Sequence, residues 1–234
     1  MINKIINNCI NNPADYIFGF SDLNGIIEES SFRYGLVIGK RLNNKIIDSI
    51  IDGPTLEYFQ HYKHVNVELS ELIHKIAGQI IKIGYRCKIV EPSVGETITN
   101  SDNYKITLRT PISHKMIGTR AGLGWIGKTD LFISKKFGPK LRLVSLLTDY
   151  PLKITGVPIN KSKCGKCNIC VINCPVEAAT GQLWDINTDR DVFFDAHKCR
   201  NNCLAITKTR LNIDATICGI CVSACPIGNS RRKN

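Results

Sequence analysis

What the sequence lacks narrows its class first. Among 234 residues, no apolar run approaches the ~18 that a membrane span needs. The opening stretch, MINKIINNCI, is broken by asparagines. It has neither a continuous apolar core nor a small-residue cleavage site, so no signal peptide is read there; the expected location is the cytoplasm, with no membrane partner. The first half shows no internal repeat and no low-complexity tract. Blocks of like charge are also missing. The formal net charge is +11, yet the lysines are scattered and only the RRKN tail forms a short run. Such a balance points to nucleic acid or another anionic partner, or simply to a composition rich in Ile, Asn and Lys.

What is present is a normal share of apolar residues, 43%, enough for a core, and eleven cysteines. Cytosolic thiols are kept reduced, so a count this high is read as metal binding rather than as a disulfide framework. Cys9 and Cys87 stand alone and read as small buried hydrophobes. The other nine fall between Cys164 and Cys225. The run Cys164-Gly-Lys-Cys167-Asn-Ile-Cys170-Val-Ile-Asn-Cys174-Pro175 is C-x2-C-x2-C-x3-C-P. Three thiolates two residues apart wrap one face of a 4Fe–4S core, intervening amides point at the sulfurs, and the fourth cysteine crosses to a second core. Cys218-Gly-Ile-Cys221-Val-Ser-Ala-Cys225-Pro226 repeats the pattern short of one member, which Cys199 or Cys203 can supply. Cluster 1 then takes Cys164, Cys167, Cys170 and Cys225. Cluster 2 takes Cys174, Cys218, Cys221 and either Cys199 or Cys203. A C-x2-C pair is also half a zinc knuckle, but two C-P endings at mirrored positions are not a zinc pattern. Each core with four thiolates is anionic, so +11 overstates the charge of the loaded protein.

The first 150 residues read as mixed helix and strand. Tyr34 to Gly39 is a buried strand. Leu69, Leu72, Ile73, Ile76, Ile80 and Ile83 form one apolar stripe, predicting a helix over Val67–Ile83 with Gly84 at its C-cap. Strands are expected at Arg86–Val90, Tyr104–Leu108, Leu131–Ser134 and Leu141–Thr148, and a helix from Pro111 to Arg120. The composition shifts at Tyr150-Pro151, so the expected domains are 1–150 and 151–234. Arg120-Ala-Gly-Leu-Gly-Trp-Ile-Gly-Lys128 sets three glycines and a tryptophan between a helix and a strand. Its spacing is neither G-x-G-x-x-G nor a P-loop. It reads as a ligand-facing loop, or as a tight turn with a core Trp.

The order AGLGWIGK, LLTDYPL, CGKCNICVINCPVEA, CGICVSACP resembles that of epoxyqueuosine reductases. That family consists of cobalamin-dependent iron–sulfur reductases of tRNA modification, related to reductive dehalogenases. The resemblance is densest from Pro111 to Pro226. It implies a corrinoid near the glycine loop, with Gly122, Leu123, Gly124, Trp125, Gly127 and Lys128 as cofactor contacts. It also matches Asp195 to Cys199 to the family's segment before its isolated cluster cysteine, favouring Cys199 over Cys203. Two departures stand out. Leu108 occupies the place of the family's proposed proton-donating Asp, and the family's C-terminal helical-repeat region has no counterpart here. His114, one turn past Pro111, is the candidate replacement for the acid, since histidine titrates near neutrality.

The expected fold is α+β: an α/β-like, corrinoid-binding N-terminal core followed by a small bacterial-ferredoxin-like double 4Fe–4S module. The expected function is an oxidoreductase passing electrons from reduced ferredoxin or flavodoxin through two clusters to a corrinoid, reducing a small molecule or nucleoside. An electron carrier or corrinoid-activating protein is the alternative. Action on tRNA is a further alternative and is not favoured.

Overall fold

A computed structural model of the chain describes residues 2–27 and 31–228; the basic residues Arg231, Arg232 and Lys233 lie outside them. Its strands, in chain order, are β1 (Tyr16–Asp22), β2 (Tyr34–Arg41), β3 (Cys87–Val90), β4 (Gly124–Ile126), β5 (Phe132–Ser134) and β6 (Leu141–Thr148). Two compact units are present, each built from separate stretches. The first comprises 1–41, 64–123 and 142–159, the second 42–63, 124–141 and 160–234.

The first unit holds a four-stranded sheet in the order β1-β2-β6-β3. β1 and β2 are antiparallel, with Phe20 opposite Leu36, and so are β3 and β6, with Ile89 opposite Leu146. β2 is an inner strand buried on both faces, which is why its sequence is a continuous apolar run rather than an alternation. Leu36, Val37 and Ile38 are all fully buried. The helix carrying the apolar stripe runs over Leu56–Lys82, starting well before Val67. Leu69, Leu72, Ile73, Ile76 and Ile80 are buried, each side chain contributing about 1.5–3 kcal/mol of transfer free energy. Ile83 lies past the helix end and is 40% exposed. Gly84, at φ 91°, closes the helix as expected, and the Tyr85 N–H returns to the Ile80 carbonyl at 3.3 Å.

Two expected elements differ. Residues 104–108 are not a strand: Asp102–Thr107 is helical, because the Ser101 hydroxyl accepts from the Tyr104 N–H and starts a turn there. Leu108 ends that helix in the left-handed region, φ 50°. The helix expected from Pro111 begins three residues later, at His114–Arg120. It buries Ile117 and Ala121 against Leu23, Val37 and Leu147 of the sheet layer.

In the second unit β4 and β5 form an antiparallel hairpin with Trp125 opposite Ile133. Ile126 packs with Trp184 and Phe193. The cysteine-rich stretch holds a long helix, Ala196–Leu211, and two short ones, Ile169–Ile172 and Ile220–Ala224. The short helices pack on each other. Each carries the cysteine four residues before a C-P ending, so the two runs fold in parallel ways. Among the described residues no helix is long and apolar enough to cross a membrane.

Candidate metal centre

The first cysteine run turns at once. The Cys167 N–H bonds the Cys164 carbonyl at 3.2 Å, and the helix Ile169–Ile172 then presents Cys170. In the second run Gly219, at φ 89°, opens the short helix that holds Cys221 and delivers Cys225 at its C-cap. As a result Cys164, Cys167, Cys170 and Cys225 line one cavity of about 90 Å³, with Cys221, Lys128 and Thr129 also in its wall. These are the four cysteines that the spacing assigns to cluster 1, the distant Cys225 included.

The other cysteines gather around the helix Ala196–Leu211. Cys203, one turn after Cys199, shares a thiol–thiol hydrogen bond with it. That bond holds the Cys199 pKa below the ordinary thiol value and raises that of Cys203, which burial raises further. Burial lifts the Cys218 thiol, and the charges of Cys199 and Cys174 lift it more. Burial likewise lifts Cys221, which feels Cys199, Cys218 and Cys170. Cys170 is raised mainly by burial, and Cys225 is pushed by burial to about 11. A crowd of buried thiols resists ionisation, and binding of a cationic metal core relieves that resistance while releasing protons. The thiols line a void instead of meeting at a point. Among the described residues no three Cys, His, Asp or Glu side chains converge closely enough for one metal ion.

Hydrogen-bond donors point at the sulfurs. Trp125 Nε1 donates to Cys164 Sγ at 3.4 Å, the Ala178 N–H to Cys174 Sγ at 3.3 Å, and Asn202 Nδ2 to Cys218 Sγ at 3.9 Å. The Thr129 hydroxyl bonds both Cys170 and Cys221. Lys128 is only 4% exposed and donates from Nζ to the Asn168 amide oxygen at 2.6 Å. Sequence reading had no signal for Ala178, Asn202 or Thr129.

The glycine loop is filled by its own chain. A Cβ on Gly122 would lie 2.7 Å from the Val157 carbonyl oxygen, and one on Gly124 2.1 Å from that of Ile133. A Cβ on Gly127 would lie 2.9 Å from the Ile133 side chain. Leu123 packs against the core beside Ile117. At these glycines the Cβ direction is taken up by the chain's own backbone and side chains, and Trp125 is a buried residue facing a cysteine. These contacts fit the reading as a tight turn with a core Trp.

His114 differs from its expected role as well. Its Nε2 donates to the Glu91 carbonyl at 3.0 Å, so Nδ1 is the acceptor for the Ser145 hydroxyl at 2.8 Å. Burial above all, opposed by the Glu91 bond and aided by Arg142 and Lys115, lowers its pKa to about 4. A ring with a pKa of about 4 is neutral at pH 7 and keeps its one proton on Nε2, bound to the Glu91 carbonyl, so it is not the imidazolium expected of a neutral-pH acid. The folded pKa lies below the unfolded value of about 6.5. Its neutral state is therefore compatible with the fold above pH 6.5, and stability is lost as pH falls from 6.5 towards 4. The expected result in an imidazole NMR titration is one fixed Nε2–H tautomer from pH 8 down to pH 5. A midpoint near 6.5 would restore His114 as a candidate acid. The ring borders a cavity of about 420 Å³ whose wall includes Val90, Glu91, Ser93, Ile98 and Pro111.

Cys87, on β3, contacts Thr148 Oγ1 at 3.9 Å and is part-buried. Cys9 lies on the helix Ile2–Cys9. Both sit in the first unit, as separate single cysteines.

No family model matches the chain. Among curated proteins it is similar to epoxyqueuosine reductases. To that of Cyclobacterium marinum it is 31% identical over 182 residues, 72% of this chain and 56% of the relative. To that of Vibrio cholerae it is 31% identical over 122 residues, 52% of this chain and 28% of the relative. The chain spans between 26% and 56% of the length of the curated relatives it matches. In fold it is similar to a reductive dehalogenase described in terms of B12-dependent dehalogenation, with TM-score 0.63 and 16% identity over 92% of this chain and 30% of that one. It is similar too to an epoxyqueuosine reductase solved with an epoxyqueuosine-modified tRNA stem loop, with TM-score 0.57 and 14% identity over 97% of this chain and 64% of that one. The resemblance carried by the glycine loop and the cysteine runs is therefore found again at the level of sequence relatives and of fold.

Proposed function

We propose that this chain is an iron–sulfur oxidoreductase of epoxyqueuosine reductase type, with two 4Fe–4S clusters in a bacterial-ferredoxin-like module of its second unit. The observation that carries the reading is the meeting of Cys225 with Cys164, Cys167 and Cys170 around one void. A zinc ion with Zn–S of about 2.3 Å draws four sulfurs to within ~3.8 Å of one another; a four-iron core keeps them apart. Cys174, Cys199, Cys218 and Cys221 are the proposed second set. When bound, such clusters supply one-electron carriage over short steps. The chain's own residues stabilise the charge on the sulfurs through Trp125, Thr129 and Lys128.

Reduced ferredoxin or flavodoxin in the cytoplasm is the proposed donor. The electrons are proposed to reach a small molecule or nucleoside, and the 420 Å³ cavity beside His114 falls within the ~300–1,000 Å³ typical of such ligands. A corrinoid acceptor rests on the fold likeness alone. Gly122, Leu123, Gly124, Trp125, Gly127 and Lys128 are its proposed contacts, though the Cβ directions of the three glycines are taken up by the chain itself. Action on tRNA is a second reading, favoured by the name its relatives share and by the charge of +11. Leu108 at the place of the family's Asp stands against it.

The test is anaerobic reconstitution, with about eight iron and eight acid-labile sulfides expected per chain. Bound zinc, or a stable four-iron product, would sink the proposal. Mass spectrometry of epoxyqueuosine-bearing tRNA and of the free nucleoside, each mixed with reduced protein, separates the two substrate readings.

A further inference from the structure

Resting on that reading, we infer that the two clusters are split in potential, with cluster 1 the higher. Electrons entering at the Cys199 side then settle at the Cys164 side. Neutral hydrogen-bond donors do not produce the split, because they fall on both sets: Trp125 on Cys164, Ala178 on Cys174, Asn202 on Cys218. The Thr129 hydroxyl serves one cysteine of each.

Formal charges are distributed unevenly. Lys128 stands in the wall of the cluster 1 cavity, 4% exposed, and is held there by the neutral amide of Asn168 between Cys167 and Cys170. Lys140, 1% exposed, lies within the field of Cys225, its Nζ 3.9 Å from the Asp48 carboxylate. The second set has the opposite balance: Asp130 and Asp195 face Cys199 and Arg210 faces Cys218. Asp195 and Arg210 are exposed and Asp130 is part-exposed. Exposed charges are screened and buried ones far less so, hence the two buried lysines dominate. Reduction adds one negative charge to a core, and a buried cation beside it favours the reduced state.

The experiment is an EPR-monitored redox titration of the reconstituted protein, read after iron and sulfide have been counted. Counts well short of eight sink the cluster reading itself, and this inference with it. With full counts, the expected result is two one-electron waves separated by a factor of ten or more, which is about 59 mV for one electron. Cys199→Ala, which leaves only cluster 1, isolates the upper wave. Lys128→Gln keeps an amide partner for Asn168 and is expected to shift the upper wave to lower potential by at least a fivefold change in its reduction equilibrium, leaving the lower one in place. Trp125→Phe, which removes a donor to Cys164, is expected to move the same wave in the same direction and serves where Lys128→Gln does not assemble. Coincident waves, an upper wave assigned to cluster 2, or waves that neither variant moves would overturn the inference.

Discussion

Replacing Cys199 by alanine is expected to halve the iron of the reconstituted protein, from about eight to about four per chain, while Cys203→Ala leaves it near eight. Both residues lie on one face of the helix Ala196–Leu211, so spacing alone does not choose between them. The family resemblance does: Asp195 to Cys199 matches the segment before the family's isolated cluster cysteine, and here Asp195 caps the helix, accepting from the Lys198 N–H. Cys203 is the more buried of the two. Cys203→Ala leaves a small cavity, at a cost of about 1 kcal/mol. Iron analysis of the two variants under identical reconstitution checks the assignment. Equal loss in both, or loss only in Cys203→Ala, would reverse it.

Gly124→Val is expected to cost more than about 3 kcal/mol and to take cluster 1 with it. Gly124 pairs with Ser134 at the mouth of the β4–β5 hairpin. A Cβ there meets the Ile133 carbonyl oxygen at 2.1 Å, its carbon at 2.8 Å and the Phe132 ring at 2.9 Å. The obstacle is mainly backbone, which cannot swing aside as a flexible side chain does. Relief requires β4 to separate from β5, and that carries Trp125 off Cys164. A loop whose purpose was to approach a corrinoid would give the opposite outcome, with intact iron and a normal melting curve. Thermal unfolding and iron content measured together distinguish the two.

Much of the cysteine site was legible because cluster ligands are mostly local. Three cysteines at two-residue steps and a C-P ending need no tertiary information, and the crossing of Cys225 follows from counting. The apolar stripe from Leu69 to Ile80 was equally plain. The role of Trp125 was not, since it depends on the hairpin register that turns the indole towards Cys164. The strand expected at Tyr104 to Leu108 failed because a local Ser101 cap outweighed alternation in a short, exposed segment. The helix Ala196–Leu211 gave no signal: of its residues only Cys203 and Thr207 are buried, too few for a stripe. β1 was hidden by Gly19, Ser21 and Asp22 among its apolar residues.

The way the second unit is pieced together bears on how it is made. Gly219 lies against Ile50 and Tyr58, Gly228 against Phe137, and Arg210 bonds the Asp52 carbonyl across 158 residues of sequence. Closing a loop of that length costs on the order of 4 kcal/mol before any contact repays it. A nascent chain therefore carries Ile47 and Ile50, both fully buried in the finished protein, through most of its synthesis without their partners. Folding of this unit should be slow, and late relative to translation. Refolding yield should fall steeply with protein concentration as those apolar side chains find each other between chains.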